Sequence, residues 1–139
     1  MSKLQAKDLM IGDWIMFPNS IEKIQEVAYV EGKGYCASFA ASATLFPIPI
    51  DKLEPIPLTK EILENNGFVG DGYAHLFIDD TTHLQYYYHE HRLRKYYYGI
   101  DEYDNHREVK DITFQCHCYY VHELQHALKL CGIEKEVQL

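Results

Sequence analysis

Four prolines, Pro47, Pro49, Pro55 and Pro57, fall within "LFPIPIDKLEPIPLT", residues 45–59. A proline lacks a backbone donor and fixes φ, and it pushes the residue before it out of the helical region. No helix can run through this stretch, and a central strand cannot use it. The segment is expected to be extended, with one helical turn at Ile50 to Leu53. It divides the chain into residues 1–57 and residues 58–139, either two lobes or one compact unit.

The first part reads as β structure. "DLMIGDWIMF" opens with a turn at Ile11-Gly12-Asp13 and continues as a strand. "SIEKIQEVAYV" is a second strand, "EGKG" at 31–34 is a hairpin signal, and "YCASF" is the return strand. Short strands, tight turns and a Gly-Asp-hydrophobic opening predict a small SH3-like barrel over residues 1–57.

The second part mixes periods. Thr59 caps a short helix over "KEILENNGF", which Gly67 stops. "AHLFIDD", "HLQYYYHE" and "RKYYYGI" are three strands separated by polar turns. "DITFQCHCYY" alternates: Ile112, Phe114, Cys116, Cys118 and Tyr120 face one way, and Thr113, Gln115, His117 and Tyr119 the other. A helix follows from about Val121 to Cys131, ended by Gly132. The tail "IEKEVQL" is a last extended segment or a frayed end. The expected class is therefore α+β: the small barrel, then an antiparallel sheet with a short middle helix and a C-terminal helix.

A chain of 139 residues with 47% hydrophobic residues can bury a core without staples. Its net charge of −8 argues against nucleic acid and anionic membranes, which need basic surfaces. Twelve tyrosines suit half-buried strands and interfaces. The first fifteen residues lack the apolar core of a signal peptide, and no apolar run reaches the roughly 20 residues of a membrane span. The chain reads as cytoplasmic, which makes Cys36, Cys116, Cys118 and Cys131 free thiols.

"HELQH" places His122, Glu123 and His126 in the H-E-x-x-H order of a zinc hydrolase. Such a site needs two histidines one helical turn apart, a glutamate to activate water, and a third protein ligand. The extended motif would require glycine at 129 and histidine at 132, where Lys129 and Gly132 stand. Glu134 and Glu136 lie in a tail too short for a further helix. At about 100° per residue, Val121, Leu124, Leu128 and Cys131 form the apolar stripe. That phase places His122, His126 and Lys129 on the opposite, outer face. The motif is therefore read as a coincidence on a polar helix face, with no catalytic, metal or cofactor residue assigned.

Other clusters read as structural. Cys116 and Cys118 complete an apolar strand face and behave as small hydrophobes, with His117 pointing away. "YYYHEHRLRKYYY" holds Arg92, Arg94 and Lys95 among tyrosines, the residue types that stack single-stranded bases. Its expected form is a hairpin with a solvated basic turn. "VGDGY" and "IDD" lack calcium-loop spacing.

"LEPIPLTKEILENNGF" (53–68) and "YVHELQHALKLCG" (120–132), with the "DLMIGDWI" opening, resemble a family of small uncharacterised proteins. That family is encoded by gut Bacteroidetes, often in prophages and other mobile elements. The resemblance covers about a third of the chain. In that family, glutamine and asparagine commonly stand at the positions of Glu123 and His126. The resemblance thus implies a mobile-element setting and a structural role for the helix, but no reaction.

Three readings follow. The first is a non-enzymatic accessory protein that needs no cofactor and acts by protein–protein contact or self-association. The second is a zinc-dependent hydrolase using His122, Glu123 and His126 with His89 or His117 as third ligand. The third is a nucleic-acid-binding module using the N-terminal lobe or the Arg92–Lys95 turn.

Overall fold

The computed structural model describes residues 4–17, 20–39, 47–79, 81–100 and 107–139. Leu45, Phe46 and Asp80, read above as parts of an extended stretch and a turn, lie outside them. Among the described residues the fold is α+β, the expected class, with two antiparallel sheets and two α-helices. By compactness the chain divides into one unit of Met1–Pro57 with Tyr120–His122, and a second of Leu58–Tyr119 with Glu123–Leu139.

The first unit is built on strands β1 (Trp14–Met16), β2 (Ile21–Val30), β3 (Gly34–Phe39), β4 (Ile48–Pro49) and β5 (Glu54–Pro55). Their order is β4-β3-β2-β1-β5. Gly12, Gly32 and Gly34 all have positive φ, so the turn at Ile11-Gly12 and the β2–β3 hairpin form where glycine permits them. The side chain of the fully buried Asp13 accepts the amide of Met10 at 2.8 Å and closes the first turn. Leu4, Leu9, Ile15, Ile24, Ala37, Phe39, Ile50 and Leu53 form the core. Among the described residues β4 and β5 are not paired with each other, so the strands close no barrel. The prolines explain this: both two-residue strands end on one, which limits how far a ladder can run.

The second unit holds α1 (Lys60–Asn65), a four-stranded sheet and most of α2 (Val121–Leu130). The sheet runs β6 (Tyr73–Phe77), β7 (Thr82–Tyr87), β8 (Arg92–Ile100) and β9 (Arg107–His117), each paired to the next. Thr59 Oγ1 accepts the amide of Ile62 at the start of α1, and Gly67 at φ 92° ends it. The tail is held in place: Val137 is buried, and Asn66 exchanges two 2.7 Å hydrogen bonds with the Gln138 backbone.

One sheet face is apolar. Residues directly opposite in a ladder share a face, so Ala74, Tyr86, Leu93 and Cys116 form one row. Leu76, Leu84, Lys95 and Phe114 form the next. Ala74, Leu84, Tyr86 and Leu93 are buried there, as are Leu124, Ala127 and Leu128 of α2. Ile112 departs from the alternation. A β-bulge lets Lys95 pair with Phe114 but Tyr96 with Ile112, so Thr113 is the extra residue. The bulge turns Ile112 to the other face, where it is 44% exposed.

Candidate functional site

The opposite face of the β6–β9 sheet carries three cross-strand rows. Tyr73, Tyr87, Arg92 and His117 form the first, and His75, Gln85, Arg94 and Gln115 the second. Phe77, His83, Tyr96 and Ile112 form the third. None of these positions is Asp or Glu, although the chain has 21 acidic residues. Tyr73 and Phe77 are 46% and 61% exposed.

The rings form a continuous layer. Tyr73 stacks on Tyr87 with centroids 5.7 Å apart. His75 and Phe77 both lie nearly parallel to His83, at 4.8 and 4.5 Å. The Arg94 guanidinium sits 5.1 Å over the Tyr87 ring. Its Nε donates to Gln115 Oε1 at 2.9 Å, and its Nη1 reaches the Tyr96 hydroxyl at 3.4 Å. The Tyr87 and Tyr96 hydroxyls are 2.8 Å apart. Burial, with the hydrogen bond to Tyr96, pushes the Tyr87 hydroxyl up to about 12. These bonds hold Arg94 flat along the sheet. The basic residues therefore lie on strand β8, not in the hairpin turn; Tyr88–His91 form that turn, and Glu90 pairs with Arg92 at 3.5 Å.

Beneath Phe77 and His75 lies His83, 1% exposed. Its Nε2 is 2.6 Å from His75 Nδ1, so one ring nitrogen donates and the other accepts. Burial, with the neighbouring His75, holds His83 down to about 4. The His83 ring is thus neutral at neutral pH.

The HELQH residues are placed differently from the outer-face expectation. His122 is buried at 4% exposure, its ring 7° from parallel with Tyr120. The backbone explains why. Tyr120 bridges Pro57, and the Val121 amide donates to Ile56 O at 2.8 Å, so the first turn of α2 is drawn into the N-terminal unit. His126 lines a groove of about 200 Å³ with Phe114, Cys116, His117 and Glu123. The Glu123 carboxylate accepts the Tyr119 amide at 2.9 Å, just before the helix. Leu124 and Leu128 are buried, as the helix phase predicts. His89 is exposed in the β7–β8 turn, and His117 is exposed on β9 near Glu90 O, 3.2 Å from its Nδ1. Among the described residues no group of three His, Cys, Asp or Glu side chains is placed to hold a metal ion. Among them, too, no helix is long and apolar enough to cross a membrane.

The aromatic face was visible in sequence only as tyrosine and histidine counts. The signal that finds it is the alternation of Tyr73, His75 and Phe77 with that of His83, Gln85 and Tyr87.

No family model, no curated protein and no solved structure matches this chain.

Proposed function

We propose that this protein is a non-enzymatic binding module that takes single-stranded nucleic acid on the open face of its four-stranded sheet. The observation that carries the reading is the layer of stacked rings around Arg94, on cross-strand rows that hold no Asp or Glu, with Glu90 of the turn pairing Arg92 at one end. Bases stack on aromatic side chains at about 1–3 kcal/mol each, and arginines meet the phosphates. The net charge of −8 argued against such a ligand, but charge acts locally. In strands β6 and β7 there is no acidic residue, and β8 brings Arg92 and Arg94 to this face. Under the resemblance to mobile-element proteins, the module would serve as an accessory factor in the cytoplasm of a host cell.

The test is fluorescence anisotropy of labelled oligouridylate and oligothymidylate against the full chain, at low and high salt. Saturable binding is expected, weakened at least tenfold by Tyr73→Ala with Phe77→Ala. Arg94→Gln should flatten the salt dependence by about 0.7 in log–log slope, the loss of one phosphate contact. Absence of binding at low salt overturns the reading. If sedimentation then shows association that Phe77→Ala abolishes, the face is a protein interface instead.

A further inference from the structure

A second feature lies on the apolar side of the same sheet, at its β9 edge. Cys116 Sγ is 3.6 Å from Cys118 Sγ. Cys116 is partly exposed and Cys118 fully buried. The groove of about 200 Å³ opens beside Cys116, and Glu123 and His126 line it too.

We propose that Cys116 is a nucleophilic thiol that takes a small disulfide in this groove, with Cys118 as the resolving thiol behind it. The arrangement separates the two roles: one sulfur meets solvent, and the other lies within reach of it but is shielded. The contact between the two sulfurs, with burial of Cys118, holds Cys116 below the ordinary thiol range and Cys118 above it. The thiolate is the attacking form.

In the first step the Cys116 thiolate attacks one sulfur of R–S–S–R. A Cys116–S–S–R bond forms, the S–S bond of R–S–S–R breaks, and R–S⁻ leaves to take up the proton that Cys116 released. In the second step Cys118 gives up its proton and attacks the Cys116 sulfur. The second R–S⁻ leaves and takes that proton. Two protein thiols are oxidised to one disulfide, and R–S–S–R is reduced to two R–SH.

The two sulfurs, 3.6 Å apart, need to approach by only about 1.5 Å to reach the S–S bond length, and thiol–disulfide exchange is reversible. Glu123 is the one carboxylate among the groove-lining residues, which selects a cationic disulfide over an anionic one.

The reduced full chain is mixed with cystamine or with oxidised glutathione. Released thiol is counted, and peptides are mapped by mass spectrometry. Wild type is expected to release two equivalents and to carry a Cys116–Cys118 cross-link, several-fold faster with cystamine. Cys118→Ser should stop at one equivalent, with the adduct on Cys116. Cys131, whose thiol burial pushes up, is the internal control. Modification of Cys116 no faster than Cys131 overturns the proposal, and so does a wild-type chain that stops at the mixed disulfide. If Cys118→Ser does not fold, the wild-type stoichiometry decides.

Discussion

At the scale of single residues, His83 makes the sharpest prediction. Its folded value of about 4 lies below the ordinary 6.5. Between those values the unfolded chain binds more protons, so stability rises with pH. The contribution is complete above about pH 6.5 and lost as pH falls to about 4, at most about 3 kcal/mol. Urea midpoints between pH 4 and pH 7 should therefore fall more steeply with acid in wild type than in His83→Phe; parallel curves would refute this. Gly70 is equally specific. At φ 136°, an added Cβ would overlap Tyr73 O far inside van der Waals contact. Backbone cannot yield as a side-chain tip can, so Gly70→Ala should cost about 1–3 kcal/mol or more, read by thermal denaturation. Neither effect was legible in sequence. Gly70 looked like one more turn glycine, and His83 like one more histidine in a polar strand.

Among elements, α2 shows what periodicity reveals and what it leaves out. The stripe of Val121, Leu124 and Leu128 follows from a 3.6-residue period, and all three are buried. Leu124→Ala should cost about 2–5 kcal/mol. His122 defeated the same reasoning because a one-sided helix was assumed, whereas the Tyr120–Pro57 bridge surrounds the first turn. His122→Asn should therefore destabilise clearly, while His126→Asn should stay within about 0.5 kcal/mol. Removing the Glu123–Tyr119 hydrogen bond with Glu123→Ala should cost about 0.5–1.5 kcal/mol. If instead Glu123→Gln abolished a zinc-dependent hydrolysis without loss of stability, the helix would be catalytic. The bulge in β9 and the Asn66–Gln138 pairing share a cause of illegibility. Each depends on a partner strand or on residues 72 positions away. Strand and helix types, by contrast, follow from local alternation, caps and glycines.

For the molecule as a whole, composition misled where it was averaged. The −8 total conceals a sheet face without carboxylates. The eight histidines suggest that acidification from about pH 8 to about pH 6 cancels most of that charge. His83, held down to about 4, adds no charge in that range. Lower solubility or new self-association across this range is expected, and sedimentation at several pH values measures it. Unchanged mass and solubility would contradict it.

The return of Tyr120–His122 to the N-terminal unit has a consequence for synthesis. That unit is not a contiguous piece of chain. Its bridge from Pro57 and its bond from the Val121 amide to Ile56 O close only when residues 120–121 exist. On a ribosome Ile56 and Pro57 therefore wait for these partners until residues 120 and 121 have emerged. A fragment of residues 1–57 should accordingly show poorly dispersed amide resonances at Ile56 and its neighbours, and adding a peptide of residues 118–132 should sharpen them.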